Sequence, residues 1–255
     1  MTLGRTLRRG LGAFNGPGWA WFNLYDRAMF DPADPHRPAR FIPLTHTRLT
    51  AAESLRRARE LRGELATRRS VRHFSRDPLP PGLLDECIAT AAGAPSGANK
   101  QPWSFVVVED APTKQLLRLA VEEEERRFYR ERITDAWRSD LEPLGTTWEK
   151  PFVEDAPAVI AVFRQTHGLE GDRRLPHYYT QESVGIAVGF LLVALHHAGL
   201  VALTHTPAPM EFLERLLQRP RNERGFMLIP VGYPAEGCVV PNLVRKSLDE
   251  VRLRR

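Results

Sequence analysis

The run Arg68-Arg69-Ser70-Val71-Arg72 places three guanidiniums and a hydroxyl within five residues. Arginine presents a planar fork of donors that matches phosphate geometry, so this run suits a phosphorylated ligand. In an extended segment alternate side chains share a face, which would bring Arg68, Ser70 and Arg72 together. A solvated basic segment at a helix end is the plainer reading, because cations are favoured there too. Downstream, Ala94-Pro95-Ser96-Gly97-Ala98-Asn99-Lys100-Gln101-Pro102-Trp103 reads as a helix end and a loop. Its small residues let backbone approach a flat ligand, and Asn99 and Gln101 offer amide hydrogen bonds. By itself the loop could equally be a turn and nothing more. Other chemistries find less support. His196 and His197 are adjacent on a helix and face different directions, there is no HExxH, and no metal site is expected. No GxSxG appears, and neither GxGxxG nor a Walker loop follows any strand.

Alternating helices and strands must position these residues. Thr50 and Glu53 form a capping-box pattern opening a helix that runs to about Ala66. Pro81 suits the first turn of a second helix, with Leu84, Cys87, Ile88 and Ala91 on one face. Ser104 to Val108 is a short strand, after which Asp110 caps a long helix through a run of glutamates. Four glutamates before Arg126-Arg127 make an ordinary solvated helix with i,i+4 pairs, which accounts for Glu122 to Glu124. Ala158 to Phe163 is a buried strand, and Glu182 to Ala198 an apolar helix closed by Gly199. Leu200 to Thr204 and Phe226 to Val231 supply two further strands around a helix at Glu211 to Leu217. Spacing alone argues for a right-handed parallel sheet.

The chain has 255 residues, 42% hydrophobic and 26% charged, which is enough apolar material for a large core and excludes a disordered chain. The longest apolar run, Val184 to Leu195, has twelve residues, well short of the ~20 a bilayer requires. Two cysteines without CxxC exclude a disulfide scaffold and fit a cytoplasmic setting. The net charge of +5 hides an asymmetry: residues 1–72 carry 14 Arg and 6 acidic residues, whereas the remainder carries 22 basic and 25 acidic. Residues 1–48 read as an extension, broken by Gly16-Pro17-Gly18 and several prolines but rich in aromatics: Trp19, Trp21, Phe22, Tyr25 and Phe30. Residues 49–255 read as one domain.

Taken together, the arginine run and the Ala94–Trp103 loop resemble the flavin-binding signature of the nitroreductase superfamily, and the likeness extends over roughly residues 40–252. The resemblance implies an α+β fold with helices layered on a mixed central sheet, FMN as cofactor, and homodimers that exchange terminal extensions. It implies FMN contacts from Arg68, Arg69, Ser70, Val71 and Arg72, from Ser96 and Asn99, from Thr204-His205-Thr206 and from Arg245. The Thr206 hydroxyl would lie at the flavin N5 edge, a protein lever on cofactor chemistry. NAD(P)H is the implied candidate electron donor.

One branch is more similar still, the iodotyrosine deiodinases. Three features carry that likeness: Glu122-Glu123-Glu124-Glu125 followed by Tyr129, then Trp148-Glu149-Lys150, then His177-Tyr178-Tyr179 before the apolar helix. The branch implies that Glu125, Tyr129 and Lys150 grip the zwitterionic end of a halotyrosine and close over the flavin, with Ala98 touching the substrate phenolate. Glu125 and Tyr129, four apart, share a helix face. A carboxylate suits an α-ammonium, and a lysine with a phenol suits an α-carboxylate. The expected reaction is reductive dehalogenation of a small aromatic amino acid. The rivals are an NAD(P)H-dependent nitro- or enone-reductase, whose neutral acceptors need no such clamp, and a flavin-fragmenting relative, disfavoured for the same reason. A non-enzymatic alternative uses the basic extension, with Arg5, Arg8 and Arg9, as a peripheral membrane or nucleic-acid contact. Nucleic acid is not needed to explain the charge, since the phosphate cluster accounts for part of it.

Overall fold

The computed structural model describes residues 41–255. The aromatic and basic extension therefore lies largely outside the described residues. Residues 55–255 form one compact unit.

That unit is built on the strand β2 (Ala158–Gln165), whose first six residues are all buried. Side chains alternate between the faces of a strand, so one apolar run feeds two cores. Ala158, Ile160 and Val162 face a core completed by α2 (Leu83–Ala92) and α6 (Thr180–His197) through Leu84, Cys87, Ala91, Val184, Leu191 and Leu195. Val159, Ala161 and Phe163 face the opposite core. There they meet Leu117 and Val121 of α3 (Ala111–Arg127), Val153 of α5 (Phe152–Asp155) and Leu213 of α7 (Glu211–Leu216). Each fully buried aliphatic side chain contributes about 1.5–3 kcal/mol. The result is a helix–sheet–helix sandwich.

The sheet order is β1 (Trp103–Val108), β2, β6 (Glu223–Gly232) and β5 (Val201–Ala202), and every named pair is antiparallel. The parallel arrangement inferred from spacing is thus overturned. β1 and β2 are joined by α3, the segment 128–151 (the lid) and α5 rather than by a single crossover helix. The chain consequently re-enters where it left: Val108, the last residue of β1, pairs with Val159 near the start of β2. A parallel contact does occur at the far edge, where Ser70 bridges Ala202.

Local signals hold where they are local. The helix α1 (Ala51–Ala66) starts with the Glu53 N–H donating to Thr50 Oγ1 at 3.2 Å. The Thr113 N–H donates to Asp110 Oδ2 at 2.9 Å to cap α3, an interaction worth about 1 kcal/mol. Gly199, at φ 78°, follows α6 in the left-handed region as expected. Pro81 falls outside its helix instead, because Gly82 at φ 80° is the residue that turns the chain into α2. Sequence reading also overlooked the hairpin of β3 (His167–Glu170) and β4 (Arg173–Pro176), and the helices α4 (Asp135–Leu141) and α8 (Leu248–Val251).

Candidate active site

Two cavities meet on one side of the sandwich. The first, about 280 Å³, is lined by Arg72, Glu125, Tyr129, Lys150, His205 and Thr206 among others. The second, about 400 Å³, is lined by Arg68, Arg69, Ser70, Arg72, Thr204 and Arg245 with neighbouring apolar groups. Arg72 and Thr204 wall both.

The second cavity is an anion cradle by its charges. Among the described residues no carboxylate lies within 4.0 Å of the guanidiniums of Arg68, Arg69, Arg72 or Arg245. Arg69 instead donates to the Pro241 carbonyl, and Arg245 donates to the carbonyls of Ala66, at 3.1 Å, and Arg68. Burial and then the like charges of Arg245 and Arg69 push the Arg68 pKa down, and burial does the same to Arg72. Crowded cations without counter-ions are relieved by a phosphate. Val71 is the exception in the run: its side chain is buried away from the cradle while its N–H donates to the Ala202 carbonyl at 3.2 Å. That bond and the neighbouring Ser70–Ala202 bridge tie the arginine run to the sheet edge.

In the first cavity, Glu125 sits on the last turns of α3, which then loosens into a π turn at Phe128–Arg132. Its partner comes from the far side of the lid: Lys150 Nζ lies 3.2 Å from Glu125 Oε2. Lys150 Nζ also donates to Thr146 Oγ1 at 3.2 Å and to the Thr147 carbonyl, while Tyr129 Oη donates to the Thr146 carbonyl at 3.1 Å. Lys150 is 2% exposed. Burial drives its pKa down despite Glu125, and drives Glu125 up despite Lys150. Burial and the Glu125 charge raise the Tyr129 phenol, keeping it a hydrogen-bond donor at neutral pH.

One expectation for the glutamate run fails. Glu122 is buried rather than solvated: its Oε1 accepts the Lys150 N–H at 2.9 Å and Arg118 Nε at 2.9 Å. Burial raises its pKa, but those two donors and Arg126 outweigh it and hold the carboxyl below its ordinary value. Glu124 also lines the first cavity and faces Arg127 and Arg132. Only Glu123 keeps the exposed i,i+4 role, against Arg127 at 3.1 Å. The charges of the run could not show this, because Lys150, whose N–H meets Glu122, lies 28 positions away. Thr146, which orders both Tyr129 and Lys150, carried no sequence signal at all.

Within one chain, the loop residues Ser96, Ala98 and Asn99 line neither cavity. Ala98, Asn99 and Gln101 take left-handed backbone at φ 49°, 51° and 48°, and the Gln101 N–H donates to Ser96 Oγ at 2.8 Å. Gly97 allows the loop to press on the Tyr178-Tyr179 segment that leads into α6, since a Cβ there would meet the Tyr178 carbonyl at 2.7 Å. The loop leads into Trp103, which pairs with Arg164 and through it with Arg224. The arginine run joins Ala202, which pairs with Val231. These are opposite corners of the sheet, separated by four strand spacings and seven residues of β6, about 30 Å.

Residues 65–233 match the sequence pattern of the nitroreductase family. The chain belongs to the nitroreductase family. Its curated relatives include iodotyrosine deiodinase of Haliscomenobacter hydrossis, 51% identical over 83% of this chain and 95% of that protein. Iodotyrosine deiodinase of Hydra vulgaris is 42% identical over 84% of this chain and 79% of that protein. Among solved structures, oxidised iodotyrosine deiodinase bound to FMN and 3-iodo-L-tyrosine superposes with a TM-score of 0.66 at 33% identity, covering 74% of this chain and 96% of that one. A BluB-like flavoprotein from Clostridium difficile shares the fold at 17% identity and a TM-score of 0.59.

Proposed function

We propose that this chain is an FMN-dependent oxidoreductase that reductively dehalogenates halotyrosines. The observation that carries the reading is the Glu125–Lys150 pair at 3.2 Å beside Tyr129, in a cavity that shares Arg72 and Thr204 with a carboxylate-free arginine cradle. One compartment offers paired opposite charges, as a zwitterion requires, and the next offers unpaired cations, as a phosphate requires. The residues present fit FMN. Arg68, Arg69, Ser70, Arg72 and Arg245 would hold its phosphate, the backbone of Val71 would fix the run, and Thr204, His205 and Thr206 would flank the ring. Bound FMN, once reduced by the electron donor, would supply the two electrons that release halide from the aromatic ring.

The chain's own residues orient the substrate. Glu125 takes the α-ammonium, while Lys150 and the Tyr129 phenol take the α-carboxylate, holding the aromatic ring toward the shared wall of the two cavities. Burial of Lys150 and Glu125 excludes water, which strengthens each of these contacts. A homodimer accords with the separation of about 30 Å between the two corners of the sheet, a distance one flavin cannot bridge. On this reading Ser96, Ala98 and Asn99 reach the site from a second copy of the chain, and Ala98 contacts the substrate phenolate there. Residues 1–48 act as an extension to the FMN-binding domain 49–255. A cytoplasmic setting accords with the free thiols of Cys87 and Cys238, and NAD(P)H is the proposed electron source.

The test is anaerobic. Photoreduced holoenzyme mixed with 3-iodo- or 3-bromotyrosine is expected to reoxidise with stoichiometric release of halide. Absence of reoxidation together with rapid turnover of nitroaromatics would assign the chain to the nitroreductase activity instead.

A further inference from the structure

Lys150 has no donor to spare. Its three ammonium protons face Glu125 Oε2, Thr146 Oγ1 and the Thr147 carbonyl. To meet the carboxylate of an amino-acid ligand it must give up a partner, and Thr146 and Thr147 belong to its own loop. Glu125 is the partner it can release. A buried carboxylate losing its ammonium needs another donor as well as the ligand's, because it carries two oxygens.

That donor is already in place. His205 Nε2 lies 3.7 Å from Glu125 Oε1, the carboxylate oxygen other than the one that faces Lys150. The atom is buried and has no hydrogen-bond partner among the described residues. The backbone that carries the ring is fixed: the His205 main-chain N–H donates to the Leu228 carbonyl at 2.9 Å and the Leu228 main-chain N–H returns the bond to the His205 carbonyl at 2.8 Å, while the imidazole stands edge-on to Phe152 at 5.5 Å. Burial, then the charges of Lys150 and Arg72, push its pKa down to about 3, so at neutral pH it is an uncharged imidazole. A shift of less than about 1 Å by the Glu125 side chain closes the contact to hydrogen-bond length.

We propose that His205 is a positioning residue for Glu125, whose Nε2–H takes one carboxylate oxygen when Lys150 turns to the ligand. It thereby lets Lys150 leave Glu125 for the carboxylate of the ligand. The inference rests on the halotyrosine reading and deepens it, giving the His205 side chain a role on the substrate side of the site. The groups facing Glu125 are Lys150 from the lid, Arg132 and Tyr129 from the π turn, and His205, with Arg72 acting on Lys150, Tyr129 and His205.

Calorimetric titration of FMN-loaded protein tests this with two probes: 3-iodotyrosine, and 3-iodotyramine, which lacks only the carboxylate and so leaves Lys150 on Glu125. His205→Phe is expected to weaken 3-iodotyrosine roughly tenfold and 3-iodotyramine much less, because a hydrogen bond to a charged group is lost on one side of the comparison only. His205→Gln, which keeps a donor, is expected to restore most of the affinity. Equal weakening of both probes, or no weakening of either, overturns the role of His205. If the wild-type protein binds 3-iodotyramine as well as 3-iodotyrosine, or binds neither, the halotyrosine reading itself fails.

Discussion

The Glu125–Lys150 pair should reduce the stability of the ligand-free protein. At 3.2 Å and an effective dielectric of about 20, its Coulomb attraction is about 5 kcal/mol. Removing each ion from water costs several kcal/mol; Lys150 is buried, and the Glu125 side chain keeps only 13% of its surface exposed. The two pKa directions agree on which effect wins: burial raises Glu125 and lowers Lys150, each against the pull of its partner. The signs then follow. A carboxyl raised in the folded state contributes most at low pH, and that contribution is lost as pH climbs through the folded value. A lysine lowered in the folded state contributes most above its ordinary range, and loses it as pH falls toward the folded value. Near neutrality both penalties apply.

Replacing both charges together, Lys150→Met with Glu125→Gln, is therefore expected to be neutral or to stabilise the protein by about 1–4 kcal/mol while abolishing halotyrosine binding. At about 2–4 °C per kcal/mol, the upper half of that range is readily seen by thermal unfolding. Lys150→Met alone strands the carboxylate and should cost about 3–5 kcal/mol at about pH 8.5, with a smaller loss on the acid side, where the raised Glu125 carboxyl takes up a proton. Protein and FMN concentrations must be held fixed, because any bound ligand adds its own stabilisation. If the double variant loses as much stability as the single one in both pH ranges, the pair is net stabilising and the reasoning is refuted.

Ligand affinity should follow the same carboxyl: 3-iodotyrosine binding is expected to fall on the acid side at a pH above the ordinary glutamate value of about 4.3, and calorimetry of Glu125→Gln should show a weak, flat profile across that range. Arg72→Ala, which opens the wall shared by the two cavities, should weaken FMN at least about tenfold in equilibrium dialysis and also reduce halotyrosine affinity; a loss confined to FMN would place Arg72 in the cradle alone. Gly97→Ala forces a methyl to within 2.7 Å of the Tyr178 carbonyl, so thermal unfolding should show a loss of about 1–3 kcal/mol and dialysis a weaker hold on FMN, whereas an unchanged protein would mean that the loop yields freely.

What could be read from the sequence was whatever one element decides by itself. The unbroken apolar run from Ala158 to Phe163 reads as a strand buried on both faces, and Asp110 and Gly199 read as helix ends, because period, caps and left-handed turns depend on neighbouring residues. Arg68, Arg69 and Arg72 were legible as a cluster of cations for the same reason, being crowded into one short run, whereas only the fold brings Arg245 to the same cavity. The tertiary structure decided the rest. It turned the expected parallel sheet antiparallel, since where a chain re-enters a sheet depends on everything between two strands. It buried Glu122 beside the Lys150 N–H, set the Lys150 ammonium against Glu125 across twenty-five positions of sequence, and left His205 Nε2 facing a carboxylate without touching it. It also carried the Ser96–Asn99 loop to the corner of the sheet opposite the arginines. Each of these is a distance between segments remote along the chain. Such distances are set by how two cores pack on one strand, which no local pattern records.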